Sequence, residues 1–178
     1  MIFEKLRLKM WVNALRSRKK ILSFNKPVSL QGQMNNASRI CICMPRDPDK
    51  FYEARDCLHM IKGSDHWILL VLGRDMELLA EHTGKTEIYP QISKAPFPIR
   101  EERVKNIPAK FDIAVDLSPE PTPLTAYITG TRGKKMTIGL KSGELDPLYT
   151  VLVNPHDDYK TSVKTMLALA GLELQENA

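Results

Sequence analysis

FDIAVDL, residues 111–117, is the stretch that most clearly predicts a β-strand, and it decides the fold class. HWILLVL at 66–72 is a near-continuous apolar run, which fits a strand covered on both faces, as in a parallel sheet. RICICM at 39–44 predicts a further strand, which the prolines after it bring to an end. Shorter strands are predicted at three other places, namely 87–89, 135–140 and 148–153.

The apolar spacing between these strands predicts helices. Residues 49–62 place four apolar side chains on one face, and Gly63 is expected to end that helix. Because strands and helices alternate, we expect βαβ units with right-handed crossovers. The predicted fold class is α/β, with a single doubly wound, mostly parallel, Rossmann-like sheet and an additional N-terminal amphipathic helix. The other predicted helices span about 2–20, 74–83, 100–106, 123–130 and 157–171.

The chain of 178 residues has the length of one domain. Its formal net charge of +5 is concentrated at the N-terminus, where the first 25 residues hold seven basic side chains against Glu4 alone. The predicted organisation is a basic amphipathic helix at 1–24, a connector at 25–37 and a Rossmann-like domain at 38–178.

The composition also indicates the cellular location of the protein. No apolar run approaches the ~18 residues that a membrane span requires, and charges interrupt the N-terminal apolar residues, unlike those of a signal peptide. Cys41, Cys43 and Cys57 have no disulfide-framework or metal spacing, which indicates reduced thiols. We therefore expect a cytoplasmic protein, peripheral at the inner membrane.

Ligands of open α/β sheets bind beyond the carboxyl ends of the strands. The first loop at such an end, MPRDPD, contains two prolines and no glycine, so it lacks the backbone amides that a dinucleotide or phosphate site needs. We expect no cofactor there. The candidate loops for a site are 45–50, 73–75, 90–99, 118–123 and 141–146.

Two aspartates are the candidate catalytic residues. Asp49, like Asp47 before it, could serve as a base or cap the following helix, and capping is the commoner role and the preferred one for Asp49. Asp116 lies near the carboxyl end of its strand and, once buried, needs partners such as the backbone amides of the proline-rich loop after it. The four histidines show no metal-ligand spacing and no Gly-x-Ser-x-Gly turn occurs, so neither a metal site nor a hydrolase elbow is predicted.

Two fragments, TGKT at 83–86 and TGTRGKKMT at 129–137, share letters with phosphate-binding loops. Such a loop needs a glycine five positions before its Gly-Lys pair, and these positions hold Leu79 and Ile128 instead. We reject both as phosphate loops. A solvated basic turn is the preferred interpretation, with anion binding as the alternative, for Arg132, Lys134 and Lys135.

The N-terminal helix is the predicted binding element. Its apolar face and basic flanks are typical of helices that lie on anionic membrane surfaces or bind a protein partner. Alternatively, the helix docks onto its own domain with the charges in water. Nucleic acid is the least favoured partner, because the rest of the chain is slightly acidic. The residues assigned to membrane or partner binding are Lys5, Arg7, Leu8, Trp11, Val12, Leu15, Arg16, Arg18, Lys19 and Lys20.

The stretches RICICMPRDPD, WILLVLG and FDIAVDLSPEPTPLTAYITGTRGKKMTIGL together resemble the N-terminal domain of heptosyltransferase-type glycosyltransferases. That domain opens with a strand and an Arg/Asp-containing turn, and later has a Phe/Tyr-Asp-x-x-x-Asp-Leu strand and a strand that ends in Ile-Gly. The layout is also similar to that of small uncharacterised bacterial proteins. The matching positions are Phe111, Asp112, Asp116, Leu117, Ala126, Ile138 and Gly139.

The resemblance implies two hypotheses about function. In the family the first turn holds a Gly-Asp pair whose aspartate is the proposed base; here Pro48 precedes Asp49. The family's second domain, which binds the sugar nucleotide, is not expected within 178 residues. We therefore expect a glycosyltransferase-like module that binds or scaffolds without catalysis of its own. The alternative is a subunit of a heptosyltransferase-like enzyme of envelope glycan synthesis, whose donor-binding domain comes from a partner.

Overall fold

The computed structural model describes residues 2–18, 37–62, 66–72, 86–90, 97–99 and 101–175. Within them, six strands form one sheet. The apolar runs predicted as strands are strands in the structure. Their bounds are Arg39–Cys43 (β1), Trp67–Leu72 (β2), Thr86–Pro90 (β3), Phe111–Asp116 (β4), Gly133–Leu140 (β5) and Val151–Val153 (β6).

The sheet is parallel throughout and has the strand order β3-β2-β1-β4-β5-β6. At its centre, Cys43 at the end of β1 pairs with Val71 of β2 on one side and with Asp116 of β4 on the other. This order defines a doubly wound, Rossmann-like α/β fold, so the predicted fold class is confirmed. Strands β2 and β3 are added on one side of β1, whereas β4, β5 and β6 are added on the other. Folds of this kind open a crevice where the direction of strand addition reverses, here between β1 and β4.

The described residues include four α-helices, together with two short 3₁₀-helices. The strand predicted at 148–153 begins only at Val151, because Asp146–Leu148 forms one of the 3₁₀ turns. The helix predicted at about 100–106 is the other, Glu101–Arg103. The helix predicted at 74–83 lies outside the described residues. The α-helices are Ile2–Ser17 (α1), Pro48–His59 (α2), Pro123–Arg132 (α3) and Tyr159–Leu169 (α4).

The core has one layer on each face of the sheet. Side chains alternate along β1, so Ile40 and Ile42 pack towards α2 and α4, whereas Cys41 and Cys43 pack towards α1 and α3. The two cysteines therefore share one face, and both are buried as free thiols.

The start of α2 differs from the prediction. Asp47, and not Asp49, caps the helix, and its Oδ1 accepts a hydrogen bond of 3.0 Å from the backbone N of Lys50. Proline favours the first position of a helix because its φ is already helical and it has no amide to leave unpaired. Pro48 at that position places the cap at the residue before it. The helix ends at His59 rather than at 62, since Ile61 pairs with Leu174 in an isolated bridge.

The N-terminal helix α1 docks onto the domain. Val12 is 2% exposed and Leu15 is 7% exposed, and both belong to the core layer that contains α3. Trp11 stacks on Tyr127 of α3 with ring centroids 5.8 Å apart and meets Phe97 edge-on at 5.4 Å. The apolar face assigned to membrane binding from the sequence thus covers the domain, as the docking alternative predicts. No helix in the described ranges is long and apolar enough to span a bilayer.

The basic turn predicted at 132–135 does not exist, because α3 continues directly into β5. Arg132 is buried, and its guanidinium forms an ion pair of 2.7 Å with Glu101 and donates to the carbonyl oxygen of Val104 at 3.0 Å. Lys135 forms an ion pair of 3.0 Å with Asp112. Arg132 therefore joins α3 to the segment after Glu101 instead of lying in solvent.

Candidate functional site

A cleft of about 690 Å³ opens where the loops after β1 and β4 diverge. This is the crevice at which ligands of doubly wound folds bind. One wall comes from the β1–α2 loop and the first turns of α2, and the other comes from the proline-rich loop between β4 and α3. The lining residues are Pro45, Arg46, Asp47, Asp49, Lys50, Glu53, Ser118, Pro119, Glu120 and Thr122.

The first wall is made of charged side chains of both signs. Lys50 forms an ion pair of 2.8 Å with Glu53 one turn later, and this hydrogen bond raises the pKa of the Lys50 ammonium. The ammonium also lies 5.0 Å from the ring centroid of Tyr159 in α4. Asp49 is exposed at the second position of α2, where the helix dipole favours a negative charge. The carboxylate of Asp49 is thus available to a ligand in the cleft.

The second wall is a short, stiff turn. Thr122 caps α3 by accepting a hydrogen bond of 3.2 Å from the backbone N of Thr125, and the Thr125 hydroxyl accepts one of 3.0 Å from the Thr122 backbone N. Pro119, Pro121 and Pro123 alternate with the other residues of the turn. Because each proline fixes its own φ and restricts the residue before it, few backbone conformations are open to this wall.

Asp116 lies buried next to the cleft rather than lining it. Its Oδ1 accepts a hydrogen bond of 3.0 Å from the backbone N of Ser118, and its Oδ2 accepts one of 2.9 Å from the Tyr149 hydroxyl. Burial raises the pKa of Asp116, and the hydrogen bonds from Ser118 and Tyr149 oppose that rise. The carboxyl group therefore anchors the first residues of the proline-rich loop, as the backbone-amide interpretation predicts.

The surroundings of Asp116 are closed to a ligand. The Tyr149 ring packs over Gly139, where a Cβ would lie 2.7 Å from the ring carbons. The neighbouring Cys43 has a pKa well above its usual value, because of its hydrogen bond with Cys41 and its burial. Burial and the raised pKa of Cys43 thus favour the neutral thiol over the nucleophilic thiolate. Of the two predicted catalytic residues, only Asp49 reaches the cleft.

The charges and the backbone of the cleft disfavour phosphate. Four carboxylates line it, from Asp47, Asp49, Glu53 and Glu120, against the two cations of Arg46 and Lys50. Neither wall contains a glycine, and prolines remove amide donors from both loops. The arrangement instead offers acceptors and charged donors that can hydrogen-bond to hydroxyl groups. Within the described part of the chain, no cluster of three or more His, Cys, Asp or Glu residues could hold a metal ion.

The structure distributes the residues of α1 over two sides. Leu8 and Trp11 are partly buried against the domain beside Val12 and Leu15. Lys5 reaches Glu144 in the loop after β5 at 3.2 Å, and the Arg7 guanidinium lies 5.5 Å from the Phe97 ring centroid. Of the remaining assigned residues, Arg16 and Arg18 are exposed. Lys19 and Lys20 lie outside the described residues.

Comparisons of this chain with models of known protein families, with curated proteins and with solved structures find no match.

Sequence reasoning pointed to the two loops that form the cleft but not to most of the residues that line it. The segments 45–50 and 118–123 are candidate loops because each follows a strand. That they face each other depends on β1 and β4 being neighbours, which follows from the strand order and not from local pattern. The lining side chains without a prior assignment to ligand binding are Arg46, Lys50, Glu53, Ser118, Glu120 and Thr122.

Proposed function

We propose that this protein is a glycosyltransferase-like α/β module that binds a neutral, hydroxyl-rich ligand of the saccharide class in the cleft between the β1–α2 and β4–α3 loops. The observation that carries the proposal is the lining of that cleft. It combines four carboxylates with an arginine and a lysine at the position where doubly wound folds bind ligands.

Hydrogen-bond chemistry supports this class of ligand. A sugar hydroxyl both donates and accepts, so it can bond at once to a carboxylate such as Glu120 and to a cation such as Arg46. A phosphorylated ligand would instead meet a surplus of carboxylates. The stiff second wall adds to affinity, because a loop that is already ordered loses little entropy on binding.

The test is a titration of the ¹⁵N-labelled full chain with glucose, galactose and mannose, each up to millimolar concentration, and separately with uridine diphosphate. We expect at least one of the sugars to shift the amide signals of Lys50, Ser118 and Glu120, and uridine diphosphate to leave them unchanged. Shifts caused by the nucleotide alone would contradict the proposal, as would the absence of shifts with all three sugars.

A matched pair of variants localises the binding. Glu120→Ala removes a cleft carboxylate and should weaken sugar binding about tenfold or more, in line with the loss of a charged hydrogen bond. Glu173→Gln neutralises an exposed carboxylate that lies next to Lys62, after the end of α2. It should leave the dissociation constant unchanged. Equal effects of the two substitutions would show that the sugar does not bind in the cleft.

A second candidate function is a subunit of a heptosyltransferase-like enzyme that completes its active site with a partner's donor-binding domain. The exposed carboxylate of Asp49 in the cleft favours this alternative, because a general base must be within reach of an acceptor hydroxyl. Asp49→Asn keeps the size of the side chain and removes the base. Under this alternative the variant abolishes envelope glycan assembly in cells while sugar binding is kept. Normal assembly with Asp49→Asn would count against it.

A further inference from the structure

The outward face of α1 exposes a row of apolar side chains. Phe3 is 82% exposed, Leu6 is 53% exposed and Met10 is 64% exposed. Their spacing of i, i+3 and i+7 places them on one side of the helix, opposite the side that docks onto the domain. We call these three residues the outer row. Docking does not require them, since Val12 and Leu15 on the other side supply the buried contact.

The outer row is unusual among the exposed side chains of this protein. Five large apolar side chains are exposed in the described ranges, and three of them belong to this row. The other two, Tyr52 on α2 and Leu152 on β6, stand on separate elements. Single exposed apolar residues are common on protein surfaces, but a contiguous row indicates a binding surface.

Basic side chains border the outer row on one side. At 3.6 residues per turn, Lys9 and Arg16 lie along this edge of the row. Both are exposed. Arg7 is turned away from the row, because its guanidinium lies over the Phe97 ring. Glu4, the only acidic residue of α1, points away from the row into the groove that Phe97 and Pro123 also line. The outward face of α1 is therefore apolar along its middle and positively charged along one edge.

From this face we infer that α1 binds the surface of an anionic lipid bilayer through the outer row while its inner side stays docked on the domain. Apolar side chains would enter the boundary between head groups and acyl chains, and the basic side chains would lie among the lipid phosphates. Three side chains in a single row are far fewer than the about 20–30 residues that each partner gives to a typical protein interface. An acidic bilayer matches both the charge and the narrowness of the face.

The side of α1 that meets the bilayer is thus not the side that the sequence pattern selects. It also fits the position of the cleft. Lys5 contacts Glu144 in the loop after β5, and the groove beside α1 includes Pro123 at the start of α3. Both contacts follow carboxyl ends of strands, so the first turns of α1 lie at the same edge of the sheet as the cleft. The inference does not depend on what the cleft binds.

The test is co-sedimentation of the full chain with sucrose-loaded vesicles of phosphatidylcholine alone or with 30 mol% phosphatidylglycerol. We expect binding to the anionic vesicles only, weakening as salt is added. The combined variant Phe3→Ser, Leu6→Ser and Met10→Ser should lower the partition coefficient at least tenfold. Lys9→Gln and Arg16→Gln should each lower it about fivefold, which corresponds to the ~1 kcal/mol per basic residue near a lipid surface. Leu152→Ser, an exposed apolar residue elsewhere, should change nothing.

A second measurement identifies the side of the helix that meets the lipid. One protein keeps Trp11 as its only tryptophan (Trp67→Phe), and another places the only tryptophan in the outer row (Phe3→Trp, Trp11→Phe, Trp67→Phe). Brominated lipids should quench the tryptophan at position 3 more strongly than the one at position 11. Stronger quenching at position 11 would overturn the inference, since it would mean that α1 leaves the domain to bind. So would equal partitioning of the serine variant, binding of neutral vesicles alone, no vesicle binding, or a dimer that the serine variant abolishes.

Discussion

Asp112 holds the start of the central strands together at the edge opposite the cleft. Its Oδ2 accepts hydrogen bonds from the backbone N atoms of Ser38 and Arg39 at 2.9 and 3.1 Å, and Lys135 lies 3.0 Å from its Oδ1. Although burial opposes it, the hydrogen bonds from Ser38, Lys135 and Arg39 lower the pKa of this carboxyl to about 2. The second aspartate of the FDIAVDL stretch is Asp116, and burial raises its pKa. The pKa values of the two aspartates at the ends of this strand are therefore shifted in opposite directions.

These contacts predict a specific acid sensitivity. A carboxylate whose pKa is lowered by folding contributes stability that is present above its unfolded value and is lost as pH falls through the folded one. For Asp112 that window is about pH 4 to 2. Asp112→Asn should reduce the free energy of unfolding by about 1–2 kcal/mol at pH 7, because charged hydrogen bonds are lost. The difference from the natural protein should shrink across that window.

The measurement is urea unfolding of both proteins at a series of pH values. Asp157→Asn, which alters an exposed aspartate just before α4, is the matched control and should show no such convergence. A constant difference between Asp112→Asn and the natural protein from pH 7 to pH 2 would contradict the assignment.

At the scale of elements, α1 offers two leucines in very different surroundings. Leu15 is buried against the layer that contains α3, whereas Leu6 belongs to the outer row. Leu15→Ala should lower the free energy of unfolding by about 2–4 kcal/mol, the usual range for a buried leucine. Leu6→Ala should change it by less than about 0.5 kcal/mol, as expected for an exposed site. Thermal unfolding of the two variants measures both values, and similar losses would show that α1 is not docked as described.

The helix α1 shows that a sequence pattern identifies an apolar face without identifying what that face contacts. Apolar residues occur on both sides of α1, so periodicity finds the inner set of Leu8, Trp11, Val12 and Leu15 but does not say whether that set meets a bilayer or the domain. The strands were easier to predict, because runs such as 66–72 and 111–117 are long, apolar and bounded by turn residues. The helix cap was misplaced by two residues, since the effect of Pro48 on its neighbour outweighed the general preference for aspartate.

The site needed information from the whole molecule. The loop at 45–50 and the loop at 118–123 are about 70 residues apart in the chain and form one cleft only because β4 lies beside β1. The chain alone does not state which strands are neighbours. Asp116 was correctly expected to bond to the loop after it, but its second partner, Tyr149, comes from a distant segment that no local pattern links to it.

Because α1 shares a core layer with α3 and the sheet, the whole molecule should unfold as one unit. In a Trp67→Phe protein the fluorescence of Trp11 reports on the contact of α1 with Tyr127, while circular dichroism reports on the helices as a whole. We expect the two signals to give the same urea midpoint. A separate, earlier transition of the Trp11 signal would show that α1 leaves the domain before the sheet unfolds.

The stacking of Trp11 on Tyr127 has a consequence for folding during translation. A ribosome delivers α1 more than a hundred residues before the helix on which it rests, and domains complete themselves only when their distant segments have emerged. Throughout that interval both apolar sides of α1 are exposed. The nascent chain therefore presents an apolar, positively charged segment before the residues of α3 against which it packs have been translated.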